Sequence, residues 1–192
     1  MNKELEDMNP SELGLLFPVL LSEPNPKWPG MYLLESENIM QAIGAQNIVR
    51  MNHCGSTSVP GLIAKPTIDI LLEIREDTDI EKLTSDMKKN GYLRNLQPDN
   101  PPPHILFLKG YTLRGFEGQA YHVHVRYSGD WNELYFRDYL RLHPDIAREY
   151  GELKEQCKLK FEHDRDAYTE AKTEFILEHT KKARKEFGNR YA

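Results

Sequence analysis

Apolar residues recur at helical spacing from Trp28 to Ala45, "WPGMYLLESENIMQAIGA", which predicts a helix ending near Gly44. The stretch "NIVRMNHC" reads as a short strand, and a run of small residues, "GSTS", follows it directly. "TIDILLEI" reads as a buried strand and "DIEKLTSDMKKNG" as an amphipathic helix closed by Gly91. "HILFLKGY" and "AYHVHVRY" have the alternation of two further strands. From Asn132 onward turn signals fade and the pattern is helical. It breaks at "HPD" (143–145), where Pro144 suits the first turn of a new helix, and two or three C-terminal helices lying against the sheet are expected. The order is mixed α/β (α+β): one mixed β-sheet with C-terminal helices packed against it.

Strand periodicity sorts the side chains by face. Ile68, Ile70, Leu72 and Ile74 point one way, and Thr67, Asp69, Leu71 and Glu73 the other. In the last strand Tyr121, Val123, Val125 and Tyr127 form an apolar face, opposite His122, His124 and Arg126. If these two strands are neighbours, Asp69 and the two histidines line one polar cleft.

A length of 192 residues is room for one domain, read here as 1–192 with a core over about 17–130 and a helical part over about 131–188. The "PDNPPP" stretch at 98–103 reads as a stiff surface connection within it. The formal net charge of −5 leaves no basic footprint of the kind that binds duplex DNA. The first ten residues are acidic where a signal peptide is basic, and "LGLLFPVLL" is too short to span a bilayer, so a cytoplasmic protein without a membrane role is expected. Cys54 and Cys157 form no CxxC pair, so neither a disulfide framework nor a thiolate zinc site is indicated.

The loop Gly55–Ser58 is no Walker A motif, because Gly61 is followed by Leu62 and the Gly-Lys-Ser/Thr that cradles a phosphate is missing. Small hydroxyl residues after a strand, with free backbone N–H groups, suit phosphate oxygens; a plain helix cap by Ser56 or Thr57 is the structural alternative. Lys65, held extended by Pro66, stands at the mouth of such a cleft, either against phosphate or in solvent. Arg137 and Arg141 share one helix face, and Lys154 and Lys172 fall on later helices, with Asp138 and Glu149 on hand for ordinary salt bridges. Two histidines spaced i, i+2 on a strand can chelate one cation, with Asp69 or His53 completing the shell. They can equally move protons, or simply pair with nearby carboxylates. Cys54 is a poor nucleophile candidate, since the adjacent His53 points to the other face of its strand. "FEHDRD" at 161–166 reads as a solvated stretch of a charged helix.

The blocks "HCGSTSVPGL" with "AKPTIDI", then "YHVHV", "FRDYLRLHPDIAREYGELK" and "YTEAKTEFI", resemble the GrpB family of bacterial proteins. A glycine-serine loop followed by an acid in the next strand also resembles the nucleotidyltransferases related to DNA polymerase beta. That resemblance implies a nucleotidyltransferase-type topology, a nucleotide or phosphorylated small molecule as ligand, and a divalent metal such as magnesium, manganese or zinc. It places Gly55 and Ser56 at the phosphates and Asp69 at the metal. Thr57, Ser58, Lys65, Arg137 and Arg141 are further phosphate candidates from the residues themselves, and His122 and His124, which stand where the pattern expects a third acid, are candidates for the metal and the chemistry beside Asp69. The sequence departs from the superfamily pattern at Leu71, where a second acid is expected. Glu73 shares the face of Asp69 but lies roughly 13 Å further along the strand, too far to substitute. The resemblance implies nucleotidyl transfer; a binding module without catalysis and a histidine-metal hydrolase are the alternatives on the same scaffold.

Overall fold

The computed structural model describes residues 4–95 and 102–192. A short helix α1 (Pro10–Leu16) begins at Asn9, whose side chain accepts from the Glu12 amide while the Glu12 carboxylate accepts from the Asn9 amide. Helix α2 (Trp28–Ile43) follows and stops at Gly44, which takes a φ of +83°. Strand β1 (Ile48–Cys54) leads through the 3-10 turn Ser56–Ser58 to β2 (Thr67–Ile74). Then come α3 (Ile80–Lys89), β3 (Leu93–Asn95), β4 (Ile105–Thr112) and β5 (Gly115–Tyr127). Helices α4 (Asn132–Leu142), α5 (Pro144–Phe161), α6 (Arg165–Glu170) and α7 (Thr173–Phe187) complete the order.

The five strands form one mixed sheet in the order β1-β2-β5-β4-β3. β1 and β2 are antiparallel, β2 and β5 parallel, and β5, β4 and β3 antiparallel in turn. The chain between β2 and β5 supplies the long connection a parallel pair requires. One face of the sheet is apolar: Ile68, Ile70, Leu72 and Ile74 of β2 pack with Val123 and Val125 of β5 beneath Ile39 of α2 and Met87 of α3. The opposite face carries Cys54 and Leu71, which pack on Leu134 of α4. Val59 and Leu62, just beyond the glycine loop, join Leu140 of α4 with Ala147 and Tyr150 of α5. The loop is thereby clamped between sheet and C-terminal helices.

Four helices stand where two or three were expected, because the charged stretch at 161–166 does not continue a helix. α5 ends at Phe161, and the Asp164 side chain accepts from the Ala167 amide to start α6. β5 begins at Gly115 rather than Ala120. The glycine-rich "GFEGQ" has no strand pattern of its own, and pairing with β4 extends it into a hairpin. The proline-rich stretch at 98–103 lies largely outside the described residues. Among the described residues no helix is long and apolar enough to cross a membrane.

Candidate functional site

Parallel pairing of β2 with β5 sets Asp69 directly opposite His122 and Leu71 opposite His124. The Asp69 carboxylate oxygen Oδ1 lies 3.4 Å from His122 Nδ1 and 3.3 Å from His124 Nε2. Asp69, His122 and His124 each offer one ligand atom, and these atoms lie within 4.8 Å of one another. Their side chains are 26%, 14% and 24% exposed, so the group is walled by protein yet open on one side. Burial by itself would raise the Asp69 pKa, but hydrogen bonds and charge from His122 and His124 outweigh it and hold the carboxyl well below its usual range. On the far side of its ring, His122 Nε2 is 2.7 Å from the Tyr111 hydroxyl, which also accepts from Arg165 at 3.2 Å. A ligating imidazole is commonly oriented by such a second partner. One carboxylate oxygen and two imidazole nitrogens, partly open to solvent, suit a single first-row divalent cation better than magnesium, which prefers oxygen ligands throughout.

The glycine loop and the acid are in contact. Gly55 has a φ of +66°, and a Cβ there would sit 2.3 Å from Asp69 Oδ2, so only glycine lets the backbone approach the carboxylate this closely. Ser58 Oγ donates to the Gly55 carbonyl at 2.6 Å and closes the turn. The buried Thr57 hydroxyl donates to the Thr67 carbonyl and lies 3.0 Å from His53 Nε2. His53 stacks on Tyr32 of α2, on the apolar side of the sheet, so it is not part of the Asp69 group. Burial, with Arg141 and Arg137 adding to it against Asp69, lowers its pKa from 6.5 to about 4. Cys54 is buried and its thiol is pushed well up, first by burial and then by Asp69 and Glu133, which leaves it a poor nucleophile.

Arg137 and Arg141 hold this loop in place. Arg137 donates to the His53 carbonyl at 3.1 Å, to Asp138 at 2.7 Å and to the Tyr191 hydroxyl at 3.0 Å. Arg141 sends two hydrogen bonds, of 3.0 and 2.7 Å, to the Ser58 carbonyl. Glu73 is fully buried and engaged by Arg50 and by the Gly129 amide, which excludes it as a stand-in for the missing acid. Leu71, at the position of that acid, is fully buried against Cys54 and Leu134.

Two cavities adjoin the group. A cleft of about 610 Å³ is lined by Gly55, Ser56, Trp131, Phe136, Arg137 and Tyr150, among others. A smaller one of about 140 Å³ is lined in part by Lys65, Thr67, Tyr111 and Arg165. The first is lined by Gly55, which touches Asp69, and the second by Tyr111, the hydroxyl partner of His122; Asp69, His122 and His124 themselves line neither. Lys65 is held below its ordinary pKa by burial and by Arg165, against the pull of Asp69.

A model of the GrpB protein family matches residues 18–182. The chain belongs to the GrpB family. A solved structure described as conserved protein GrpB from Enterococcus faecalis matches this GrpB chain with a TM-score of 0.76 at 30% identity, covering 88% of this chain and 99% of that one. The glutamate-rich protein GrpB of Alkalihalophilus pseudofirmus is 32% identical over 83% of this chain and 92% of its own length. A UPF0157 protein of Pseudomonas aeruginosa is 38% identical over 79% of this chain, and the match spans 62% of that protein's length. A match at 26% identity, over 81% of this chain, spans 43% of a dephospho-CoA kinase of Mycolicibacterium paratuberculosis.

Of the residues singled out from sequence, the structure brings Gly55, Asp69, His122 and His124 into one place, with Ser56 and Lys65 beside the adjoining cavities. Thr57 and Ser58 face inward and Arg137 and Arg141 grip backbone, so these four shape the loop. Sequence reasoning passed over Tyr111 and Arg165, which lie far from the motif in sequence, and discounted Lys154 and Lys172. Lys154 is 3% exposed and donates to Ser56 Oγ at 3.1 Å; Lys172 is 6% exposed, with its ammonium 3.6 Å from the centre of the Tyr168 ring. Among the described residues neither forms the salt bridge that neighbouring acids offered on paper, and no residue-type pattern announces a buried lysine.

Proposed function

We propose that this GrpB protein has a nucleotidyltransferase-type topology of the polymerase-beta kind and binds a nucleotide or phosphorylated metabolite beside a divalent cation. The observation that carries the reading is the contact between loop and acid. The Gly55 backbone lies against the Asp69 carboxylate, which in turn is shared by His122 and His124. A phosphate resting on the loop would therefore lie next to the group best suited to a cation. In this reading Gly55 and Ser56 receive phosphate oxygens, Lys65 offsets their charge, and Asp69, His122 and His124 hold the cation. Arg137 and Arg141 act through the loop by fixing its carbonyls. When bound, the cation would supply polarisation of a phosphoryl oxygen. The name of the dephospho-CoA kinase, part of which resembles this chain, refers to a nucleotide-type substrate and agrees with the proposed ligand class.

Whether transfer follows binding turns on Leu71. A two-metal site needs the ions about 4 Å apart with carboxylate ligands for both, and Leu71 supplies none. This favours, as the second reading, a binding module with one cation and no transferase activity.

A thermal-shift panel tests the proposal, using nucleoside triphosphates with magnesium, manganese or zinc on the native chain, on Asp69→Ala and on His122→Ala/His124→Ala. A ligand at a hundred times its Kd adds about 2.7 kcal/mol, roughly 5–10 °C for a chain of this size. The expected result is a nucleotide-dependent shift with manganese or zinc that disappears in both variants. No shift with any nucleotide would overturn the nucleotide reading, and a shift with zinc alone would move the assignment to the histidine-metal hydrolase.

A further inference from the structure

Lys65, Lys154 and Lys172 come from three separate parts of the chain: the turn before β2, the middle of α5, and the residue that starts α7. The ammonium groups of Lys65 and Lys172 stand 5.4 and 3.6 Å from the centre of the same Tyr168 ring. Lys154 packs on Tyr150 at 4.7 Å and donates to Ser56 Oγ, and both Ser56 and Tyr150 line the larger cleft. The three ammoniums act on one another: Lys65 and Lys172 help to lower the pKa of Lys154, and Lys65 that of Lys172, in each case after burial itself, and both come down to about 7. Against them stands one carboxylate, Asp69, which acts on Lys65 and Lys172 from a distance. Among the described residues none of the three lysines forms an ion pair. Lys172 is largely buried, its ammonium rests on the Tyr168 ring, and no hydrogen bond to another described residue occupies its N–H donors.

Burying several like charges without counter-ions is costly, and such groups either give up protons or are completed by an anion of matching charge. A single carboxylate of a ligand would leave most of this charge unanswered, whereas a diphosphate or triphosphate carries several negative charges over a short oxygen-rich span. We propose that Lys65, Lys154 and Lys172 form an anion site behind Ser56 that takes the di- or triphosphate part of the ligand. This rests on the phosphorylated-ligand reading above and narrows it to a ligand carrying two or more linked phosphates. Lys154 donates to Ser56 Oγ and to the Ile63 carbonyl, which ties this cluster to the loop that follows β1.

The test is isothermal titration calorimetry of metal-free protein with pyrophosphate, on the native chain, Lys154→Met, Lys172→Met and Asp69→Ala. ATP with manganese is titrated in parallel. The native chain is expected to bind pyrophosphate, each methionine variant at least tenfold more weakly, and Asp69→Ala at least as tightly because it removes the one opposing carboxylate. Lys172→Met should remain folded, since a buried cation without a counter-ion is replaced by an apolar chain of similar length; Lys154→Met also gives up the hydrogen bonds to Ser56 and to the Ile63 carbonyl, and urea unfolding checks that both variants are folded. A silent pyrophosphate titration of the native chain, or unchanged affinity in both methionine variants, overturns the anion site. Pyrophosphate binding with no response to ATP and manganese keeps the lysine site and removes the nucleotide reading. ATP–manganese binding lost in Asp69→Ala but unchanged in both methionine variants does the opposite.

Discussion

At Gly55 one hydrogen atom in place of a side chain decides whether loop and acid can meet. Its φ of +66° is costly for any L-residue, and a methyl group would stand 2.3 Å from Asp69 Oδ2. Gly55→Ala is therefore expected to lower stability by about 2 kcal/mol or more, from the strained backbone together with the displaced carboxylate. It should also weaken metal binding, since Asp69 cannot move without leaving His122 and His124. Urea unfolding reads the first effect and zinc titration the second; an alanine variant with native stability would show that loop and acid do not depend on each other. The glycine itself was legible in the sequence as a turn residue after a strand. Its reason was not, because the atom it makes room for lies fourteen residues further along the chain.

At the scale of elements, the decisive event is the parallel pairing of β2 and β5. Alternation alone put Asp69 on one face of its strand and His122 and His124 on one face of theirs, and the observed register aligns the two faces. The same face carries Leu71, and here packing overrules any analogy with a two-acid site. Leu71 is fully buried beneath Cys54 and Leu134 where α4 covers the sheet. An aspartate at this position would lose that packing and bury a second carboxylate two residues from Asp69, while the nearby Arg137 is already engaged by Asp138, the His53 carbonyl and Tyr191. Leu71→Asp is expected to cost about 4 kcal/mol, measured by urea unfolding, and to gain no magnesium-dependent transfer. A folded Leu71→Asp variant with new transferase activity would instead mean that α4 yields to admit a second ion. Helix α4 also explains why two arginines that looked ready for phosphate are occupied: their helix lies across the loop, and backbone carbonyls are the nearest acceptors.

For the molecule as a whole, the net charge of −5 conceals a buried cationic centre, and pH should expose it. Lys154 and Lys172 fall from an ordinary 10.5 to about 7 in the folded chain, through burial first and neighbouring lysines second. Below about pH 7 both states carry the protons and the full cost of burying them is present. Between about 7 and 10.5 the unfolded chain binds more protons than the folded one, so stability rises with pH. Above about pH 10 the trend reverses, because Tyr150 and Tyr168, whose hydroxyls are pushed well up chiefly by burial, stay protonated in the folded chain after the unfolded tyrosines ionise. Urea midpoints are thus expected to climb from pH 7 to 9, and to climb less in Lys154→Met and Lys172→Met; a flat native profile would show the lysines to be hydrated. By itself the sequence determined the periodic elements, the inward and outward faces of β2 and β5, the small-residue loop and the family resemblance, because each is written in residues adjacent along the chain or a fixed period apart. The break between α5 and α6, the length of β5, the partners of Arg137 and Arg141, and the gathering of Lys65, Lys154 and Lys172 were decided only by tertiary structure. In each of these the energy comes from groups that meet across long separations, where burial and the nearest available partner, not residue type, set the outcome.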